Sequence, residues 1–288
     1  MVVFLNGRFV PEERAVVSVF DRGFLYGDGL FEAIRIFNGK PFRWPQHWER
    51  LQQGAKFLKI KLPFPLEKLY TAAGELIVKN KMPDALLRIT LSRGVGAHGY
   101  LPQNASKPTL FMSLRPALKI SRKIPVQWNL MFSAFHLMAG DPLAHYKTAN
   151  KLPQVLARAE AAATGANEAL LTSTDGFVVE GASSNLFWVK RGVIFTPPLA
   201  AGILPGVTRA VVFEIASGLK IPIRQQNIRS RDLGRMDGVF LSLTSLGIVE
   251  AKTLDGKILR RSPVTGSLAR AYNEILMNSS ACNPGRKR

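Results

Sequence analysis

The chain has 288 residues, and 47% of them are hydrophobic, which is enough for two domains or for one large domain with a substantial core. This composition excludes a disordered protein, and no apolar stretch reaches the roughly 18 residues that a membrane span needs. A single cysteine excludes an internal disulfide, and four histidines without ligand-like spacing argue against a metal site.

The charges and the start of the chain add two expectations. The formal net charge is +19, yet lysines and arginines are scattered apart from short runs such as Arg122-Lys123, so we expect no nucleic-acid partner. The positive field would instead attract anionic small molecules, such as a phosphate-bearing cofactor or a carboxylate substrate. The first residues, MVVFLNGRFVPEE, lack the basic and apolar segments of a signal peptide, and we expect a cytoplasmic protein without membrane contacts.

The first part of the chain predicts a small domain over residues 1–117. The opening VVFLNGRFVP is typical of a β-hairpin, because Asn6-Gly7 suits a type I′ turn between two apolar runs. A strand over LFEAIRIF, a helix from about His47 to Leu58 and strands at 85–91 and 109–114 follow. Residues 118–125 lie in a basic, proline-bounded segment without periodicity, and we expect a domain linker there.

Residues 126–288 predict a larger domain in which strands dominate. A helix is expected after Pro153, with a stop near Gly165. Strands are expected over EALLTST, FVVE, LFWVK and VIFTPP, then a helix from Gly206, a strand over VFLSLTS and a last helix at 266–276. Because the strands run consecutively and the helices are set apart, the pattern favours an α+β fold over a strictly alternating one.

The stretch HYKTANKLPQVLARAEAAATG, residues 145–165, places Lys147 about two turns ahead of a half-buried helix. The expected apolar face of that helix contains Val155, Leu156, Ala159 and Ala162. A lysine in this place is either a solvated loop cation or an amine that faces a ligand. The stretch alone leaves both interpretations open.

Other segments carry groups that one cofactor would need. Glu180 ends an apolar strand and precedes small residues, which is typical either of an exposed strand end or of a carboxylate beside a flat heterocycle. The helix after LPG starts with Val207 and Thr208, whose backbone amides could bind an anion, and hydroxyls end the strand FLSLTS. With Arg50 and Lys147, these residues form the set that pyridoxal phosphate requires: a lysine, an acid for the ring nitrogen and donors for the phosphate.

These motifs resemble the class IV aminotransferases, the fold-type IV group of pyridoxal phosphate enzymes. The resemblance covers nearly the whole chain, from DRGFLYGDGLFEAIR through HWERL, SRGVGAHGY, YKTANKLPQVLARAEA and VVEGASSNLFWVK to LPGVTR and LTS. It implies a two-domain α+β fold with a small α/β N-terminal domain and a larger, β-barrel-like C-terminal domain. It also implies a homodimer in which one subunit's small domain completes the partner's active site. Phe31 and the loop that contains His98 would have that role.

The resemblance implies a role for each matching residue. Lys147 would form the Schiff base with pyridoxal 5′-phosphate, and Lys151 would merely lie nearby, since the family motif places its lysine before the T-A-N step. Glu180 would pair with the pyridine nitrogen. The other cofactor contacts would be Arg50, Leu204, Val207, Thr208 and Thr244. The substrate contacts would be Tyr26, Phe31, Arg35, Arg88, His98 and Ser245. Arg93 is a further candidate for a substrate carboxylate, although Arg88 and Arg93 cannot both face inward on a simply alternating strand.

The motifs leave the reaction open between two members of the group. FEAIR is similar to the aminotransferases, which move an amino group between a branched-chain or D-amino acid and a 2-keto acid. SRGVGAHGY and KTANKLPQVLAR look like aminodeoxychorismate lyase, which forms 4-aminobenzoate and pyruvate. The tyrosines of branched-chain enzymes are replaced here by Leu86 and by Lys151 or Leu152, and only His98 remains of the Arg-x-His pair of D-amino acid aminotransferases. We expect an aminotransferase, with the lyase as the alternative and a nucleic-acid binder on an inactive enzyme fold as a third hypothesis.

Overall fold

The computed structural model describes residues 1–105, 107–118 and 125–281. The chain forms two compact units. The first unit comprises Met1–Leu118, Tyr146–Asn150 and the end of the chain from Leu276, and the second comprises the described residues between these segments. The predicted linker at 118–125 lies largely outside the described residues, so the linker and the domain boundary at 117 stay predictions. No helix in the described part of the chain is long and apolar enough to cross a membrane.

The first unit is built on a six-stranded sheet with the order β2-β1-β6-β5-β3-β4. Its strands are β1 Val2–Leu5, β2 Arg8–Pro11, β3 Gly29–Phe37, β4 Lys40–Pro41, β5 Ala85–Ser92 and β6 Thr109–Pro116. Its helices are α1 Arg22–Tyr26, α2 Trp44–Leu58 and α3 Leu66–Asn80. The predicted hairpin is confirmed, since Asn6 and Gly7 both have the positive φ angles, 49° and 91°, that a type I′ turn needs.

Strand β3 shows how this sheet separates a core from a second, polar face. Alternate residues of a strand point to opposite faces, so Leu30, Ile34 and Ile36 share one face and join the apolar core with α2 and α3. Phe31 and Arg35 lie on the other face, and the β3–β5 register places Arg88 of β5 there as well, opposite Ala33. The sheet therefore buries one side and presents an aromatic ring and arginines on the other.

The second unit is built on a nine-stranded sheet that closes on itself. Its strands are β7 Val126–Leu137, β8 Glu168–Ser173, β9 Val178–Gly181, β10 Asn185–Lys190, β11 Val193–Thr196, β12 Ile223–Gln225, β13 Gly238–Leu243, β14 Gly247–Leu254 and β15 Lys257–Ile258. Its helices are α4 Leu152–Ala163, α5 Val207–Gly218 and α6 Ser230–Leu233, and α7 Pro263–Ala281 begins in this unit. The path runs from β10 through β13, β14, β7 and β8 to β9, and β9 pairs again with β10. This closure confirms the expected barrel-like architecture.

The predicted helix after Pro153 is present as α4, but its predicted apolar face is wrong. Val155 and Leu156 are 60% and 38% exposed, and Ala159 and Ala162 are exposed too. The helix instead buries Ala157 and Ala161, which pack with Ala169, Leu171 and Val179. Small side chains allow a closer approach of the helix to the strands, so the larger apolar residues remain on the outer surface.

Candidate active site

Lys147 lies in the short segment 146–150, which belongs to the first unit and pairs with the start of β3. The Phe31 amide donates to the Lys147 carbonyl over 2.9 Å, and the Ala149 amide donates to the Gly29 carbonyl over 2.8 Å. A Cβ at Gly29 would lie 2.6 Å from the Leu91 carbonyl oxygen, so the glycine lets β3 and β5 come this close. Backbone hydrogen bonds thus fix the lysine beside Phe31.

The ring of Phe31 contacts two cations. The Lys147 Nζ atom lies 4.7 Å from the ring centroid, and the Arg88 guanidinium carbon lies 4.1 Å from it. Burial, and next the charge of Arg115, lower the pKa of Arg88, which keeps its charge at neutral pH. One aromatic ring therefore lies within cation–π distance of both the Lys147 amine and the Arg88 guanidinium.

Arg50 belongs to a buried cluster with Glu32 and His47. Its Nε and Nη2 atoms each donate to a different oxygen of the Glu32 carboxylate over 2.7 Å, and the His47 Nδ1 atom lies 2.7 Å from the same carboxylate. Burial opposes ionisation of Glu32, but the charge and hydrogen bonds of Arg50, with the hydrogen bond from His47, lower its pKa to about 2. Burial lowers the pKa of His47 below 6.5, so the imidazole is neutral and donates through Nδ1 to the carboxylate.

In the second unit, Glu180 is held at the end of β9 by the start of β10. The register pairs Glu180 with Asn185, whose Nδ2 atom lies 3.4 Å from Glu180 Oε2 and donates to the Leu204 carbonyl over 2.9 Å. The Leu204 amide donates to Glu180 Oε2 over 3.1 Å. Lys151 is partly buried nearby. Burial lowers its pKa, and the negative charges of Glu180 and Asp141 offset only part of this effect. These contacts leave the Glu180 carboxylate oriented and beside Leu204.

The start of α5 has the features of an anion site. Its N-cap is Gly206, so no side chain caps the first amides, and Val207 and Thr208 are buried there. A Cβ at Gly206 would collide with the Asn185 side chain, which only glycine avoids. The buried Ser242 hydroxyl has no hydrogen-bond partner among the described residues and lies opposite Asn185 in the sheet. An uncapped helix start and an orphaned hydroxyl fit a phosphate group.

The structure places the predicted site residues in two groups. The first unit contains Tyr26, Phe31, Arg35, Arg50, Arg88, His98 and Lys147. The second unit contains Glu180, Leu204, Val207, Thr208, Thr244 and Ser245. Phe31, Arg88 and Lys147 come together in the first group, and Glu180 and Leu204 in the second. Thr244 and Ser245 form the turn after β13 and are partly buried.

Arg35 and Arg93 have surroundings different from those of Arg88. Arg35 is buried, and its Nη2 atom lies 3.6 Å from Asp84, near the end of β3 opposite to Phe31. Arg93 donates to the Asp28 carboxylate over 2.7 and 3.0 Å. Arg88, by contrast, lies over the ring of Phe31.

Sequence reasoning missed the partners that orient the predicted residues. Glu32 holds Arg50, His47 holds Glu32, and Asn185 holds Glu180. The signal for His47 was its spacing of three residues from Arg50, which puts both side chains on one helix face. Asn185 is recognised as a partner of Glu180 only from the pairing of β10 with β9 in the structure.

A family model, described as amino-transferase class IV, matches residues 29–254 of the chain. A protein of Methanocaldococcus jannaschii, provisionally named a branched-chain-amino-acid aminotransferase, is 36% identical over 274 residues, which cover 95% of this chain and 94% of that one. The D-alanine aminotransferase of Staphylococcus epidermidis is 32% identical over 286 residues, covering 96% and 99% of the two chains.

Solved structures agree with this similarity. The branched-chain aminotransferase of the archaeon Thermoproteus uzoniensis, solved with norvaline, has a TM-score of 0.89 and 31% identity, with 96% of this chain and 95% of that chain covered. A protein of Legionella pneumophila, provisionally named 4-amino-4-deoxychorismate lyase, has a TM-score of 0.84 and 28% identity over 92% of this chain and 97% of that one. The expected fold type is confirmed.

Proposed function

Since the chain belongs to the class IV aminotransferase family, we propose that this enzyme uses pyridoxal 5′-phosphate to move an amino group between an amino acid and a 2-keto acid. The observation that carries the proposal is the pair of cations on one ring: the Lys147 amine and the Arg88 guanidinium both contact Phe31. An aminotransferase needs an amine beside the carbon that gains or loses a proton, and a cation for the carboxylate on that carbon.

Each unit carries residues that fit part of the cofactor. Lys147 would hold it covalently, and Glu180 would hold a proton on its ring nitrogen. The uncapped start of α5 at Val207 and Thr208, together with the hydroxyls of 242–245, supports phosphate binding. Leu204 would lie against the ring, and Arg50, fixed by Glu32, would add a positive charge for the phosphate. When bound, the cofactor supplies an electron sink for negative charge at the substrate Cα.

Three side chains of the protein then have separate roles. Once exchange with the substrate amine has freed its Nζ, Lys147 would take the proton from the substrate Cα and return it on the other side of the substrate nitrogen. The ring of Phe31 packs beside Lys147 Nζ and limits its position, and Arg88 binds the substrate carboxylate. A hydrogen bond from Arg88 Nε to the Thr90 hydroxyl over 3.2 Å restrains the guanidinium, and its Nη atoms can donate to a carboxylate.

The names of the relatives support a branched-chain or D-amino acid as donor, and Tyr26, His98 and Ser245 stay candidate contacts that choose between them. The lyase remains a second candidate, because the segments SRGVGAHGY and KTANKLPQVLAR favour it and a provisionally named lyase shares the fold. A lyase would expel pyruvate and would need no amino acceptor. We place the enzyme in the cytoplasm, where its single cysteine suits a reducing environment.

One experiment tests the proposal. The holoenzyme is incubated with a panel of L- and D-amino acids without acceptor, and the absorption spectrum of the cofactor is followed. Conversion to the pyridoxamine form by leucine, D-alanine or a similar donor supports transamination. It also shows whether the donor has the L or the D configuration. If no amino acid converts it and aminodeoxychorismate yields pyruvate, the lyase is correct.

The same holoenzyme shows which lysine is attached. Borohydride reduction followed by peptide mapping is expected to place the pyridoxyl group on Lys147, and Lys151→Ala should keep the label. A label on Lys151 in the native chain would contradict the assignment.

A further inference from the structure

A single buried guanidinium holds three carbonyls of one loop in the first unit. Arg22 is 3% exposed, and its Nη1 atom donates to the carbonyls of Ala97 and Gly99 over 3.2 and 2.7 Å. Its Nη2 atom donates to the Tyr100 carbonyl over 2.9 Å. We call residues 95–100 the His98 loop. Hydrogen bonds from a charged donor are about twice as strong as neutral ones, so three of them from one planar group restrict this loop strongly.

Tyr26 restrains the same loop from the ring face of Arg22. The guanidinium carbon lies 4.8 Å from the Tyr26 ring centroid, and the Tyr26 hydroxyl accepts a hydrogen bond from the Gly99 amide over 3.0 Å. A Cβ at Gly96 would lie 3.1 Å from Arg22 Cδ and 2.8 Å from Ala105 Cβ. The loop therefore packs directly on the arginine stem as well as on its charged end.

Asp28 fixes Arg22 in turn. Its Oδ2 atom accepts from Arg22 Nε over 3.0 Å and from Arg93 Nε over 2.7 Å. Arg93 also donates to the carbonyls of Leu58 and Lys59 at the end of α2. Burial raises the pKa of Asp28, but the hydrogen bonds and charges of the two arginines outweigh it, so the pKa lies below 3.8 and the carboxylate stays ionised. The loop is thus tied through two ion pairs to the helix that carries Arg50.

His98 occupies the centre of this arrangement. The carbonyls before and after it, on Ala97 and Gly99, are both bound to Arg22, whereas the His98 side chain is exposed. We propose that Arg22 is a positioning residue that sets the conformation of the His98 loop and thereby the affinity of the enzyme for its amino donor. This inference rests on the proposed function, in which the loop contributes to substrate binding.

The test uses the holoenzyme of Arg22→Lys. Lysine keeps the charge but cannot serve several carbonyls and Asp28 with one planar fork. We expect KM for the amino donor to rise about tenfold while kcat changes less than about twofold, because substrate positioning is lost and the amine that moves the proton is untouched. Hydrogen–deuterium exchange at the amides of 97–100 should become faster by a similar factor, because fewer bonds hold the loop closed. Arg14→Lys, an exposed arginine of the same unit, is the matched control and should change neither value.

Gly96→Ala provides an independent variant, because the added methyl disturbs the same contact without removing Arg22. It should raise KM in the same direction. Faster exchange with unchanged KM in both variants, or unchanged exchange in Arg22→Lys, would overturn the inference. Failure of the proposed function is distinguishable from this, because the native enzyme would then show no transamination although the exchange measurement would still report the loop.

Discussion

Glu180 lies within hydrogen-bond distance of two donors in the second unit. Its carboxylate is oriented by the Leu204 amide and by Asn185, both of which can donate hydrogen bonds to it. Donors of this kind stabilise the ionised form, which is the form that keeps a proton on a pyridine nitrogen.

We therefore predict that Glu180→Gln keeps the cofactor but lowers kcat by about 10² to 10⁴, the usual size of an acid–base contribution. Glu214→Gln, an exposed glutamate on α5, is the control and should retain native kcat. Single-turnover kinetics with the amino donor measure the effect. Turnover within a few fold of native in Glu180→Gln would show that another group controls the ring nitrogen.

His47 and Glu32 make folding stability depend on pH. The pKa of His47 is lowered in the folded chain relative to 6.5, so the unfolded chain binds a proton first as the pH falls, and the free energy of unfolding decreases below pH 6.5. The pKa of Glu32 is lowered from 4.5 to about 2, so its contribution is present above pH 4.5 and is lost between pH 4.5 and 2.

Urea unfolding between pH 8 and 5 should show the histidine effect. We predict that His47→Gln reduces the slope of the unfolding free energy below pH 6.5 and costs about 1–3 kcal/mol at pH 8, since a buried carboxylate loses a hydrogen bond. His98→Gln, an exposed histidine, should leave the slope unchanged. An identical slope in the native chain and in His47→Gln would mean that folding does not lower the pKa of His47.

Among the secondary-structure elements, helix α5 has a start that depends on a glycine. Its N-cap, Gly206, touches Asn185, which also orients Glu180, so one contact joins the candidate anion site to the carboxylate.

We predict that Gly206→Ala weakens cofactor binding about tenfold or more, because the methyl displaces Asn185 and the helix amides. Spectral titration of the apoenzyme with pyridoxal 5′-phosphate measures the affinity. Gly218→Ala, at the other end of α5 where an added Cβ meets nothing within 4 Å, is the control. Equal affinities in the two variants would contradict the role of this contact.

The elements also show what local sequence can and cannot predict. Short apolar runs and turn chemistry predicted β1, β2, β3 and β10, because each pattern is contained in a few neighbouring residues. The sequence pattern did not indicate β7 or α3, and the face of α4 was wrong, because the buried side is decided by which strands the helix meets.

The candidate site divides in the same way. The motifs predict the positions of Lys147, Glu180 and the start of α5. The contacts that orient other candidate residues join distant parts of the chain. Arg22 binds Tyr100, 78 residues later, and Glu32 binds Arg50, 18 residues later. Arg22 and Tyr100 are too far apart in the sequence for any local motif to contain both residues, so residue spacing could not predict their contact.

At the scale of the whole molecule, the surface of the first unit carries an apolar segment that a monomer would leave in water. Val16, Val19, Phe20 and Phe24 are 78%, 62%, 64% and 75% exposed. A cavity of about 260 Å³, lined in part by Val17, Phe24 and Phe111, lies next to them. Exposed apolar surface of this extent marks an interaction site, and the family resemblance implies a second copy of the chain as the partner.

We predict that the protein is a homodimer and that this segment contributes to the interface. The double variant Phe20→Asp/Phe24→Asp should sediment as a monomer and lose most of its turnover, because burying carboxylates at an apolar interface is costly and a partner subunit no longer completes the active site. Sedimentation velocity of the holoenzyme gives the mass, to be compared with 31.8 kDa for one chain. Ile258→Asp, which changes an 86% exposed residue of the second unit, is the control and should remain dimeric and active. A native enzyme that is fully active as a monomer at assay concentration would contradict both the interface and the shared site.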